Sequence, residues 1–120
     1  MRDYLGFKCF VAQQTPFKNP KTRMPENYAN VKAQCGWALA KKVNAGELAV
    51  RTTNPTIKKY LIEDLEQVKQ KDADKDGKLA LISKDIIKKI TGRSPDFGDL
   101  LIMRFYFDYV PKPNIQWITI

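Results

Sequence analysis

The sequence contains no histidine and only two cysteines, Cys9 and Cys35, among its 120 residues. The lack of histidine excludes Ser–His, Cys–His and His–metal mechanisms within this chain. Two thiols without histidine do not suggest a disulfide framework or a zinc site, so both cysteines are expected to be small, buried apolar residues. Any catalysis by this chain would therefore depend on carboxylates, Lys or Tyr.

Long apolar runs are also missing. No stretch approaches the ~20 apolar residues of a membrane span, and residues 1–6 lack the apolar run of a signal peptide. The hydrophobic content of 43% suits one globular domain with a modest core. We expect an intracellular, soluble protein with no membrane partner.

Acidic residues are outnumbered, with 13 Asp and Glu against 21 Lys and Arg and a formal net charge of +8. A positive surface of this kind favours a polyanionic partner. Lysine is also a common solubilising residue, and on charge alone this alternative carries equal weight.

Hydrophobic periodicity predicts strands at residues 7–12, 48–50 and 79–82. Between the first strand and the first helix, residues 13–25 form a long basic loop with three prolines. Strands that alternate with helices are typical of an α/β fold.

Four helices are expected between and after these strands. Their predicted bounds are residues 26–45, 55–70, 84–91 and 96–109, with capping signals at Asn54, Ser83 and Gly92 and an opening proline at Pro95. The last helix is apolar nearly all round, which predicts that it is buried between layers.

Asp72, Asp74 and Asp76 alternate before Gly77, as the oxygen ligands do at the start of an EF-hand calcium loop. The twelfth position of such a loop is a bidentate Glu, whereas here it is Ser83. We therefore favour a solvated turn, with calcium binding kept as an alternative.

The segment Ser94-Pro95-Asp96 places a carboxylate in the first turn of the last helix. There, unpaired N–H groups and the helix dipole stabilise the charged form that Mg²⁺ or Mn²⁺ requires. Asp99, three residues later, lies on nearly the same face as Asp96. From the residues alone, the favoured interpretation is that Asp96 only completes a helix start, as Asp commonly does.

This segment, an apolar helix behind it and several earlier segments resemble the nuclease part of phage terminase large subunits. The earlier segments, in the order of the family, are Tyr28-Ala29-Asn30-Val31-Lys32-Ala33, Gly46-Glu47-Leu48-Ala49-Val50, Tyr60-Leu61-Ile62-Glu63-Asp64-Leu65 and Gly77-Lys78-Leu79-Ala80-Leu81-Ile82-Ser83-Lys84-Asp85. The likeness extends to about Asp108. Three departures are Lys32 for the usual Arg, Gln34 for an acidic residue and Gly98 for the usual Ala.

The resemblance implies an RNase H-like nuclease fold that cleaves double-stranded DNA during genome packaging by two-metal hydrolysis. Asp96 would be a catalytic metal ligand and Asp99 its neighbour at a site for Mg²⁺ or Mn²⁺. The implied partners are double-stranded DNA and other terminase or portal components. The implied location is the cytoplasm of a phage-infected or prophage-carrying bacterium.

Only one of the family's three metal carboxylates is recognisable in the chain. We therefore expect residues 1–110 to be a partial nuclease domain, with residues 111–120 as a tail, and isolated nuclease activity is doubtful. The alternative is a non-catalytic basic module, derived from the same fold, that binds DNA or joins the packaging complex.

Several cations are candidates for contact with DNA phosphates. Lys84 is the strongest, because it matches a lysine of the family beside the metal-site helix. The others are Lys18, Lys21 and Arg23 on the basic loop and Arg93 before the last helix. The pair Lys58–Lys59 is more simply explained as a solvated helix face.

Overall fold

The computed structural model describes residues 10–72, 77–110 and 118–119. In these residues the chain forms four helices, in order α1, α2, α3 and α4. Their bounds are Val31–Asn44, Pro55–Glu66, Lys84–Thr91 and Asp96–Tyr109.

Each of the first three helices begins at a side chain that accepts a hydrogen bond from the first turn. Asn30 accepts from the N–H of Ala33, Asn54 accepts from Thr56 and Ile57, and Ser83 accepts from Ile86. These bonds satisfy amide groups that have no partner inside the helix. Gly92 ends α3 with φ of 76°, a left-handed conformation that a residue with a Cβ adopts at a cost.

The α/β, RNase H-like fold predicted from the sequence is wrong for this structure, which is helical and has no strand or sheet among the described residues. With other described residues, residues 79–82 make two isolated bridges, parallel between Tyr28 and Leu79 and antiparallel between Gln70 and Leu81. Residues 48–50 form no strand. A strand needs a partner with a matching ladder, and β-branched composition alone does not supply one.

The predicted bounds of α3 and α4 are confirmed, whereas those of α1 and α2 are too wide. α1 begins at Val31 rather than at residue 26, because Asn30 caps it and Tyr28 belongs to a bridge. α2 ends at Glu66 rather than at residue 70.

The core lies between α1 and α4, which pack along each other, while α2 also packs against α4. It contains Val31, Cys35 and Leu39 from α1 and Ile102, Phe105 and Tyr106 from α4. Phe10 closes one end, with its ring edge-on to Tyr106 at 5.5 Å. Burial of Cys35 confirms the prediction for that thiol, and Cys9 lies outside the described residues.

α4 is not buried all round, contrary to the prediction. Leu100, Met103 and Phe107 are 62%, 38% and 60% exposed and follow one another at helical spacing. The helix thus has one side in the core and one apolar side that is open.

Two predictions concern segments outside the described residues. The first is the solvated turn at residues 72–77, for which calcium binding was the alternative: residues 73–76 lie outside the described residues, and Asp72 has φ of 50°. The tail predicted at residues 111–120 is described only at 118–119, so a boundary after Val110, the residue that caps α4, stays a prediction.

Candidate functional site

Asp96 and Asp99 both lie in the first turn of α4, as predicted. Pro95, which is buried, stands at the N-cap position without a capping side chain, and Asp96 is exposed. The Ser94 hydroxyl donates a hydrogen bond to Asp96 Oδ1 at 2.8 Å. This bond holds the carboxylate beside the helix start, while its charge stays open to solvent.

Asp99 lies between two lysines. Its Oδ2 is 2.5 Å from Lys84 Nζ, and its Oδ1 is 3.6 Å from Lys32 Nζ. The hydrogen bond that Lys84 donates to Asp99 raises the pKa of Lys84 above its usual range, and the charges of Asp99 and Asp96 add to this effect while partial burial opposes it. Both carboxylates are thus close enough to one ammonium group to stabilise its charge.

Lys32 is the residue at this site that sequence reasoning did not select. In the sequence, Lys32 stands where the resembled family has an arginine. Its position on the first turn of α1, beside α4, brings its ammonium group to Asp99. That family position was the available signal, since nothing in the local pattern connects Lys32 with Asp99.

Arg93 has protein partners on α2. Its Nη2 lies 2.8 Å from Asp64 Oδ1 and 3.1 Å from Glu63 Oε2, and it also donates to the Tyr60 carbonyl at 3.0 Å. The guanidinium carbon lies 4.0 Å from the centre of the Tyr60 ring. A DNA phosphate would have to compete with two carboxylates, so contact between Arg93 and DNA stays a prediction.

Lys18, Lys21 and Arg23 are exposed on the basic loop. Asn19 shapes the loop, because its side chain accepts hydrogen bonds from the N–H groups of Lys21 and Thr22. No contact between these three cations and the α4 carboxylates occurs among the described residues. Lys84 and Asp99 therefore form an ion pair, whereas the three cations of the basic loop do not contact that pair.

A divalent ion could use Asp96 and Asp99 as oxygen ligands. Within residues 10–72, 77–110 and 118–119, no group of three or more His, Cys, Asp or Glu side chains could hold a metal ion. Asp99 would also have to exchange Lys84 for the ion. These two carboxylates therefore form at most part of a metal site.

A groove of about 520 Å³ opens beside Asp99. Its lining includes Lys32, Lys84, Asp99 and, from the extended segment before α3, residues 80–83. This groove was not predicted from the sequence.

Comparisons with protein-family models, curated proteins and solved structures find no match to this chain. No helix in the described part of the chain is long and apolar enough to cross a membrane.

Proposed function

We propose that this chain supplies part of the metal site of a terminase large-subunit nuclease, which cleaves double-stranded DNA during phage genome packaging. The observation that carries the proposal is the pair of carboxylates, Asp96 and Asp99, at the start of α4 beside Lys84. Mg²⁺ and Mn²⁺ bind carboxylate oxygens, and two carboxylates three residues apart on a helix lie on nearly the same face.

In this proposal Asp96 is the catalytic metal ligand, because it is exposed and has no cation bound to it among the described residues. Asp99 orients Lys84 and can turn toward the metal when Lys84 moves to a phosphate. Two-metal hydrolysis requires more carboxylates than these. The proposal assigns them to polypeptide other than this chain, so the chain alone is not expected to cut DNA.

Lys84 is the proposed first contact for a DNA phosphate, since 46% of its side chain is exposed beside the carboxylates. Lys18, Lys21 and Arg23 would add backbone contacts whose strength falls as salt rises. Arg93 is a weaker candidate because its guanidinium already pairs with Asp64 and Glu63. The proposal places the protein in the cytoplasm of a phage-infected or prophage-carrying bacterium, with terminase and portal components as further partners.

The test is Mn²⁺ binding by the ¹⁵N-labelled chain, because bound Mn²⁺ broadens the NMR signals of nearby amides. We expect selective broadening of the amides of residues 96–99, and its loss in Asp96→Asn. Asp85→Asn is the matched control, since Asp85 is an exposed carboxylate in the first turn of α3. Broadening that is absent, or that persists in Asp96→Asn, contradicts the proposed metal site.

A second candidate function is a non-catalytic, basic DNA-binding module. One observation favours it: two lysines neutralise Asp99, so this carboxylate is less available to a metal. The module predicts binding of duplex DNA without metal and a steep loss of affinity with salt. Exchange of Lys18, Lys21 and Arg23 for Gln should weaken binding more than exchange of Lys58 and Lys59, and equal effects would contradict this function.

A further inference from the structure

In the extended segment before α3, residues 79–82, backbone groups of successive residues form hydrogen bonds on opposite sides of the segment. Leu79 donates its N–H to the Asn27 carbonyl at 2.9 Å and accepts from the Ala29 N–H at 2.8 Å. On the other side, the Ala80 carbonyl accepts from Lys71 at 2.7 Å, and the Ile82 N–H donates to Lys69 at 3.0 Å. Backbone groups of successive residues in an extended chain point to opposite sides.

Leu81 is therefore expected to present its N–H and C=O to the side on which Leu79 finds its partners. On that side the neighbouring chain leaves the pairing at Asn30 and turns into α1. No backbone hydrogen bond joins Leu81 to another of the described residues. Among the described residues, Leu81 thus has a backbone N–H and C=O without a backbone partner, and unpaired groups of this kind at a strand edge pair with extended polypeptide.

The groove described above lies at this edge, since Leu81 and its neighbours form part of its wall. Its apolar surface comes from Phe10, Ala12, Leu81, Ile82, Ile102 and Met103. Met103 also belongs to the open apolar side of α4, with Leu100 and Phe107. Apolar side chains of a bound strand could thus pack both into the groove and against the adjoining apolar side of α4.

Among the described residues, the lining of the groove carries more positive than negative charge. Lys32 and Lys84 are the cations of this described lining, and Asp99 is its acidic residue. Lys32 is only loosely paired, at 3.6 Å from Asp99. An additional carboxylate would therefore complement this lining.

We infer that this groove is a docking site for an extended segment of another protein, paired with the backbone of Leu81 and bearing an acidic side chain that contacts Lys32. The main-chain hydrogen bonds would supply a general affinity, and the carboxylate and apolar side chains would select the partner. This inference does not depend on metal or DNA binding.

The test uses a defined probe, a dye-labelled nine-residue peptide of alternating valine and threonine with one central aspartate. Fluorescence anisotropy gives its affinity, and NMR of the ¹⁵N-labelled chain locates it. We expect a shift of the Leu81 amide signal. Affinity should fall about tenfold when asparagine replaces the aspartate or when Lys32→Met is used, as expected for one charge-assisted hydrogen bond.

Two controls separate strand pairing from nonspecific adhesion. A peptide with N-methylated valines cannot pair with the edge and should not bind. Met103→Glu should abolish binding, whereas Ile62→Glu, at an exposed apolar residue of α2, should leave it unchanged. Equal binding of methylated and unmethylated peptides, or no binding at millimolar peptide, overturns the inference. A Leu81 shift that follows the concentration of the chain itself also overturns it, because the occupant would then be a second copy.

Discussion

The buried carboxylate of Asp64 lies 2.8 Å from the guanidinium of Arg93, across the junction between α2 and the start of α4. Asp64 Oδ2 also accepts a hydrogen bond from the Gly98 N–H at 3.0 Å. The Arg93 contact is an ion pair rather than an aligned hydrogen bond, since Asp64 Oδ1 has no hydrogen-bond donor among the described residues. Asp64 therefore fixes the first turn of α4, which carries Asp96 and Asp99.

Removal of this carboxylate should destabilise the fold. Asp64→Ala leaves Arg93 with Glu63 but without its buried partner, and loss of one member of a buried pair costs about 3–5 kcal/mol. Because 22% of the Arg93 side chain is exposed, we expect about 2–3 kcal/mol in urea unfolding.

Glu63→Gln is the matched control for Asp64→Ala, because Glu63 contacts the same guanidinium from a more exposed position. It should cost less than about 1 kcal/mol. If both variants lose the same stability, Asp64 does not have the structural role assigned to it.

Gly98→Ala should also destabilise the chain, although alanine favours a helix. A Cβ at residue 98 would lie 2.9 Å from the Cβ of Asp64, which cannot move freely because its side chain is fully buried. Overpacking of this kind costs about 1–3 kcal/mol. Urea unfolding checks it, and a stabilisation of up to about 1 kcal/mol, the helix-propensity gain, would contradict the packing argument.

Gly36→Ala is an informative comparison for Gly98→Ala. Its Cβ would meet Leu81 Cδ1, the end of a side chain that borders the open groove. That side chain can rotate into the groove, so the loss of stability should be smaller than for Gly98→Ala.

The helices that the sequence predicts best are those with clear local signals. Ser83 and Gly92 bound α3 through a side-chain hydrogen bond and a left-handed residue, and Pro95, with its fixed φ, precedes the first residue of α4. The start of α1 was predicted too early because Tyr28 has helical spacing, although Asn30 is the residue that caps it.

Strand pairing and ion pairs between residues far apart in sequence could not be predicted from the hydrophobic pattern. The segment around Leu81 has strand composition, but whether it joins a sheet depends on the segments that pair with it, and in the described part of the chain it forms only isolated bridges. At the candidate site, the position of Asp96 and Asp99 follows from the start of α4. The ion pairs of Asp99 with Lys32 and of Asp64 with Arg93 cannot be predicted in this way, because each connects residues that are far apart in sequence.

Cys35 should make the stability of the fold depend on alkaline pH. Burial raises the pKa of its thiol from 9.0 to about 11, with a smaller contribution from the charge of Asp108. The unfolded chain then loses this proton before the folded chain does, so the stabilisation is complete below pH 9 and is lost as pH rises toward 11. Between pH 8 and pH 10.5 this effect amounts to about 2 kcal/mol.

Urea unfolding of the wild type and of Cys35→Ala over that pH range measures the effect. The variant starts from a lower stability because it lacks the buried sulfur, but its stability should fall by about 2 kcal/mol less. Parallel pH profiles of the two chains would show that the Cys35 thiol does not titrate differently in the folded state.

Gln34 should control access to the basic loop. It is fully buried, and its amide accepts from the Phe17 N–H at 2.9 Å and donates to the Phe17 carbonyl at 2.9 Å. Gln34→Leu would leave both backbone groups of Phe17 without these partners, at a cost of about 1–3 kcal/mol. The lost hydrogen bonds attach the loop to α1, so the loop should open locally more often. Trypsin should therefore cleave after Lys18, Lys21 or Arg23 roughly tenfold faster.

Gln14→Leu is the control for this experiment, since it makes the same exchange at an exposed side chain on the same loop. Its cleavage rate should match that of the wild type, with products identified by mass spectrometry. Equal rates for the two variants would mean that the Gln34 amide does not hold the loop. Faster cleavage confined to Gln34→Leu would show that one buried amide orders the segment that carries Lys18, Lys21 and Arg23.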